Sequence, residues 1–334
     1  MPQISILMPV YNAEKFIKKT IVSVLSQSFV DFEFIIVDDG SIDNSFEIIS
    51  SFKDERIKYF RNERNSGIVF SLNKALEIAK GEYIARIDAD DICTEDRLKL
   101  QFDFLEENKN VGVCSGHIQY IDSNDVEGLS VEMPVSFEEC KIKFLFGNPV
   151  IHPASMFRKD LALKVGGYTA GMEPAEDYDF WLKLLEVSEI QNIDKLILQY
   201  RTHSTNYSSV RRKDYNSKFR EIFKKDSKLK FLDIIDEQFI NFHIRLIIGT
   251  WNEKSSLKEV FLLRKWKRSL ISNNKKLKVF DQHKLLNSIN YNITLILMVI
   301  IKSKYNTYFV KLLAAVNLFL FDSTNVIRIL KEKR

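Results

Sequence analysis

Glycine and proline are scarce in this chain, 11 and 6 of 334 residues, which excludes a collagen-like or low-complexity disordered polypeptide. Cysteine is scarcer still. Cys93, Cys114 and Cys140 are too few and too far apart for a disulfide framework or a paired-cysteine metal site, and they point to a reducing compartment. No G-x-G-x-x-G follows the first apolar run, so a dinucleotide site is disfavoured, and the P-loop pattern G-x-x-x-x-G-K-[ST] is absent. The opening MPQISILMPVYN has neither the basic segment nor the long apolar stretch of a secretory leader, and the expected location is the cytoplasm. Long apolar runs are missing too: Ile293–Ile301 and Leu312–Phe321 each fall short of the ~20 residues that cross a bilayer as a helix.

What is present supports large cores, since 45% of the residues are hydrophobic. The net charge of +4 conceals a split. Residues 1–206 carry 22 basic against 34 acidic side chains, net −12, and residues 207–334 carry 27 against 11, net +16. Such asymmetry implies two regions with different partners, and we place a domain boundary near residue 207, giving domains 1–206 and 207–334.

The first 117 residues alternate short apolar runs with helical patterns. The runs Ile4–Met8, Phe32–Val37, Ile57–Phe60, Tyr83–Ile87 and Val111–Cys114 have strand length. Between them, Ala13–Gln27 places Ile17, Ile21, Val24 and Leu25 on one helical face with Asn12 as its expected N-cap. Ile68–Ala79 repeats the pattern and is expected to stop on Gly81, and Thr94 is placed to cap a helix running to Glu107. Alternation of this kind predicts an open, mostly parallel α/β sheet, followed by a helical C-terminal region.

In such sheets ligands bind beyond the carboxyl ends of the strands. Three polar clusters fall there: PVYN (9–12), DDGS (38–41) and DADD (88–91). Asp88, Asp90 and Asp91 crowd like charges onto one turn, and a positive partner should relieve them. Mg²⁺ or Mn²⁺ shared with phosphate oxygens suits that need, because both favour carboxylate oxygens; a solvated turn with a capping aspartate is the competing reading. Asp38 and Asp39 can accept hydrogen bonds from a nucleoside, and Tyr11 offers an aromatic face to a base. Nucleoside, diphosphate and metal together describe an activated donor such as a nucleotide sugar. Further on, the pair Glu176–Asp177 precedes a helical pattern, where a carboxylate can take a proton from an incoming hydroxyl or cap the helix. In YRTH, His203 is a candidate for contact with phosphate or metal, with Arg201 as a further phosphate donor.

The ordered set PVYN, VDDGS, NSG, GEYIARIDADD, GGY, EDYDFW and YRTH resembles the family 2 glycosyltransferases of GT-A fold over about residues 3–206. The resemblance implies an inverting, metal-dependent transferase of a nucleotide-diphospho-sugar, most often a UDP-sugar, of the hexosyltransferase type. It implies Pro9, Tyr11 and Asp39 in the nucleoside pocket with Asp38 beside them, and Asn65 and Gly67 in a segment closing over the nucleotide. Asp88 and Asp90 match the family's D-x-D, Asp90 at the metal and Asp88 at the ribose or a metal-bound water, Asp177 matches its general base, and His203 its polar contact to diphosphate or metal; Glu176 joins the substrate-binding set. The Q-x-x-R-W motif of processive members is absent, RKW (264–266) being a different pattern, so one sugar is expected per encounter.

The implied partners are a nucleotide-sugar donor and a glycan or lipid-linked acceptor in cell-surface polysaccharide synthesis, with no nucleic acid. The basic C-terminal region leaves two readings open: a peripheral contact with an anionic membrane on its cytoplasmic face, or a helical subdomain or homo-oligomer interface. Alternatives for the whole chain are a nucleotidyltransferase and a non-catalytic nucleotide-sugar-binding scaffold.

Overall fold

The computed structural model describes residues 1–203, 214–224, 235–247 and 257–302. They form two compact units, residues 1–140 with 149–218, and residues 141–148 with those after 218.

The first unit is built on a nine-stranded sheet. Its first half follows the expected alternation: β1 (Ile4–Val10), α1 (Ile17–Leu25), β2 (Phe32–Asp38), α2 (Ser45–Ser51), β3 (Ile57–Arg61), α3 (Ile68–Ile78) and β4 (Tyr83–Arg86). Strands β3, β2, β1 and β4 are parallel, with Val10 beside Asp38 and Leu7 beside Arg86. All seven residues of β2 are buried, as its continuous FEFIIV run requires of a strand covered on both faces. Ile4, Ile6 and Met8 pack with Ile17, Ile21 and Val24 of α1 in one core, while the alternate residues of β1 face the other way.

The second half is mixed. After β5 (Ile92–Cys93) and α4 (Arg97–Glu107) come the long β6 (Val111–Ile121) and β7 (Glu127–Val131). Then follow α5 (Phe137–Lys143), β8 (Met156–Arg158), α6 (Lys159–Lys164), α7 (Glu176–Leu185) and the thirteen-residue β9 (Glu189–Arg201). Strand β8 lies antiparallel between β4 and β6, and β9 runs parallel to β6 before pairing with β5. The order across the sheet is β3-β2-β1-β4-β8-β6-β9-β5, with β7 added to β6.

Three expected helix signals are corrected. Asn12 lies outside α1, with φ 51°, and its Oδ1 accepts the Ile42 amide, so it joins two loops instead of capping a helix. Thr94 precedes the start of α4 at Arg97, whose N-cap residue is Asp96. Gly81 is no left-handed C-cap: a Cβ there would come 2.5 Å from the Ser5 amide nitrogen, so glycine is demanded by close approach to β1.

The second unit contains the helices α9 (Ile240–Ile247), α10 (Leu257–Leu277) and α11 (Gln282–Lys302), preceded by α8 (Tyr215–Lys224) at its boundary with the first. Trp266 is fully buried and donates its indole N–H to His243 at 3.2 Å. Asn274 closes the α10–α11 turn by accepting the Phe280 amide at 2.9 Å. The boundary expected near 207, the basic RRK at 211–213 and the Leu312–Phe321 stretch lie outside the described residues. The expectation about apolar length is corrected here: Gln282–Ile301 reaches 20 residues at a mean hydropathy of 1.5, long and apolar enough to cross a membrane by composition. The run Ile293–Ile301 is prolonged N-terminally on the same face by Leu285 and Ile289, and this buried stripe is also that of an ordinary core helix.

Candidate active site

The three polar clusters meet at the carboxyl edge of the parallel strands. The loop after β1 and the loop after β2 are fastened together: Asp39 N–H donates to Val10 O, the Asn12 amide to Ser41 Oγ and the Ala13 amide to Ser45 Oγ. Asp39 then organises a third loop. Its Oδ1 accepts from Asn62 Nδ2 at 2.7 Å and the Ser66 amide at 2.9 Å, and its Oδ2 from the Gly67 amide at 2.8 Å. A carboxylate has about four acceptor sites, so Asp39 keeps capacity for one more donor. Gly67 has φ 93°, a conformation that glycine adopts without strain. Tyr11 and Asn65 are exposed on this rim and Pro9 is half-buried.

Asp38 is corrected. It is fully buried and therefore closed to a nucleoside, and its oxygens accept the Ser41 amide at 2.8 Å and the Tyr59 hydroxyl at 2.8 Å, so it supports the wall of the edge.

Asp88, Asp90 and Asp91 bring their carboxylate oxygens within 4.8 Å of one another, a hard oxygen donor set suited to a divalent cation. The chain itself also supplies partners to each. Arg86 Nη2 lies 2.5 Å from Asp88 Oδ1, His203 Nε2 lies 2.8 Å from Asp90 Oδ2, and the Arg201 amide donates to Asp91 Oδ1 at 2.8 Å. Asp91 Oδ2 is buried with no hydrogen-bond partner, an orphaned acceptor that a cation or its water would satisfy. Burial and the charge of Asp88 push the Asp90 carboxyl up, and burial with Asp90 and Asp88 pushes Asp91 well above the usual range.

Arg201 is corrected as a phosphate donor. It is fully buried, and its guanidinium donates to the carbonyls of Asp90 and Asp122 and pairs with Asp125 at 2.6 Å. It braces the acidic turn from behind.

The second carboxylate pair opens α7. Asp177 is half-buried and accepts the Tyr178 amide at 2.7 Å; the N-cap is Ala175, so Asp177 sits inside the first turn. Glu176 is buried, with Oε2 unpartnered, and burial with the Asp177 charge pushes its carboxyl up to about 8. The GGYT loop holds α7 in place. Asp179 accepts the Thr169 hydroxyl at 2.6 Å, and Asn73 of α3 bonds both the amide and the carbonyl of Tyr168 at 2.9 Å. A Cβ on Gly167 would lie 2.7 Å from Asn73 Oδ1. The Tyr168 hydroxyl, raised above its usual range by burial, lies in the fields of Arg86, Asp177, Glu176 and Asp88, so both carboxylate groups share one neighbourhood.

Sequence reasoning missed four supports of this site. Thr20 of α1 donates to Ala89 O at 3.0 Å; the Phe16 ring stacks on His203 at 5.1 Å and lies under the Arg201 guanidinium at 4.7 Å. Arg97 is buried and donates to the carbonyls of Arg86 and Ser155. Arg86 is the fourth. Its one legible signal was a lone cation in an otherwise apolar strand directly before the acids.

The sequence profile of the family "Glycosyl transferase family 2" matches residues 5–166. The O-antigen biosynthesis glycosyltransferase WbnJ of Escherichia coli is 34% identical over 246 residues, covering 70% of this chain and 94% of that protein. The UDP-Glc:alpha-D-GlcNAc-diphosphoundecaprenol beta-1,3-glucosyltransferase WfgD, also of Escherichia coli, is 30% identical over 221 residues, covering 66% and 82%. The crystal structure of S. aureus TarS 1–349 in complex with UDP-GlcNAc shares the fold at a TM-score of 0.60 and 21% identity, covering 95% of this chain and 89% of that one.

Proposed function

The chain belongs to glycosyl transferase family 2, and from that premise we propose that it moves a single sugar from a UDP-sugar to a hydroxyl of a glycan or lipid-linked acceptor, with inversion, in cell-surface polysaccharide synthesis. The observation that carries this reading is the acidic turn with its orphaned Asp91 oxygen, its carboxylates within 4.8 Å of one another at the carboxyl edge of the strands whose neighbouring loops Asp39 organises. The names of WbnJ and WfgD support the acceptor class, and that of WfgD supports a UDP-linked donor.

In this reading Pro9, Tyr11 and Asp39 hold the nucleoside, with the remaining acceptor capacity of Asp39 directed to a base N–H. Asn65 and Gly67 belong to the loop over it. Asp88 and Asp90, with His203 beside Asp90, would hold Mn²⁺ or Mg²⁺, which when bound neutralises the diphosphate's charge. Asp177 accepts the proton of the acceptor hydroxyl. The hydroxyl oxygen forms the new bond to the anomeric carbon as the bond to the diphosphate breaks, and the electron pair leaves with the diphosphate. For the +16 region we propose contact with an anionic membrane surface that presents a lipid-linked acceptor, supported by its charge and by the apolar window Gln282–Ile301.

The test is incubation of the purified chain with UDP-sugars and Mn²⁺ in the presence of lipid-linked saccharide acceptors. Transfer of one sugar per acceptor, with anomeric inversion, is the expected result. Release of a long polymer, or turnover of nucleoside triphosphates in place of UDP-sugars, would contradict it.

A further inference from the structure

Two ionisable side chains in the core of the site are buried with hydrogen-bonding atoms unused. Arg86 is 2% exposed; its Nη2 reaches Asp88, but Nε and Nη1 have no partner. Glu176 is 5% exposed, and its Oε2 has none either. Leaving a guanidinium N–H and a carboxyl oxygen unpaired out of water is costly for each, and native interiors rarely tolerate it without a functional reason. The two lie within each other's electrostatic influence, Arg86 opposing the rise of the Glu176 carboxyl. The Tyr168 hydroxyl, which shares a hydrogen bond of 2.9 Å with His152 Nε2, is not a partner of these spare donors.

We propose that Arg86 is a positioning residue with two alternative partners: Asp88 while the acidic turn is free of donor, and Glu176 once the donor's metal–diphosphate has drawn Asp88 away. The inference rests on the reading of Asp88 and Asp90 as the donor end of the site. A guanidinium has five N–H donors in a planar fork, so the Nε and Nη1 donors that Asp88 leaves unused can serve a second carboxyl oxygen. Released from Asp88, Arg86 remains a buried cation, and Glu176 is a buried acid with an open acceptor. Pairing them satisfies both. Glu176 precedes Asp177 in the first turn of α7, so fixing one carboxylate fixes the bearing of the other. The acceptor end is then completed only with a donor in place.

The experiment is a double-mutant cycle read by calorimetric binding of UDP in the presence of Mg²⁺ to the full chain, without turnover. Glu176→Gln weakens binding about tenfold in the wild-type background and leaves it unchanged beside Arg86→Met, because the pairing that favours the bound state is then already lost. Equal weakening in both backgrounds overturns the proposal. Should Arg86→Met fail to fold, the ¹⁵Nε–H resonance of Arg86 decides instead: on addition of Mg²⁺ and UDP it moves to the position of a carboxyl-bonded N–H and its solvent exchange slows in the wild type, and its exchange does not slow in Glu176→Gln. A resonance that does not move in the wild type overturns the proposal while leaving the donor reading intact. Wild-type protein that binds no UDP removes the donor reading itself, and the switch with it.

Discussion

The nucleoside edge and the acid core of this site are built from the same residue types and treat them in opposite ways. Along the edge, Asp38 has both oxygens bonded within the chain and Asp39 accepts three in-chain donors. In the core, Arg86, Asp91 and Glu176 each keep at least one buried polar atom without a partner. Carboxylates bonded mainly within the chain are scaffold: they fix loops before any ligand arrives. Unsaturated ones mark where the structure is left incomplete for chemistry.

That contrast can be broken by substitution. The largest effect belongs to Asp177→Asn, which keeps the shape of α7 and removes the base; turnover falls about 10²–10⁴-fold while UDP affinity holds, as separate rate and binding measurements would show. Asp39→Ala comes next. It strands the Asn62, Ser66 and Gly67 donors, lowers stability by about 1–3 kcal/mol in urea unfolding and weakens UDP binding; unchanged stability would mean that Asp39 is no scaffold.

A smaller effect distinguishes the core through pH. The Glu176 carboxyl stands at about 8 in the folded chain, above the 4.5 of an unperturbed glutamate, so the folded state holds the extra proton between those values. Stability therefore falls as pH rises from about 4.5 to 8, and Glu176→Gln flattens that decline. Urea midpoints of both proteins at pH 5.5 and 8 check the sign, against a background of Asp177, Glu173 and Arg86 around the same group. The smallest is a control: Lys99→Ala removes an exposed pair with Asp103 on α4 and changes stability by less than about 0.5 kcal/mol. A larger loss there would erase the distinction between buried and exposed charge.

The first half of the sheet was legible because its strands are apolar runs punctuated by helical periodicity, and because DDGS and DADD lie where such strands end. The second half was not. β8 is only three residues long and β9 pairs with β6 across some eighty residues of chain, and neither pairing leaves a local pattern. The cap signals misled for a related reason: Asn12 and Gly81 are shaped by what lies opposite them, Ile42 and Ser5, which no window around them contains. Within the site, residue types announced the acids. Which of them were bonded inward, as Asp38 and Arg201 are, depended on donors such as Tyr59 and on the Asp122–Asp125 turn, brought together only by the fold.

The bracing of Asp90 and Asp91 by Arg201 joins residues more than a hundred positions apart. A ribosome translating this protein has therefore exposed the DADD segment for several seconds, at about 5–20 residues per second, before the arginine that steadies it is even made. Until then the nascent chain carries its acids on an unsupported bend, and a polypeptide that stops short of position 201 never acquires a finished site, however well its first four strands assemble.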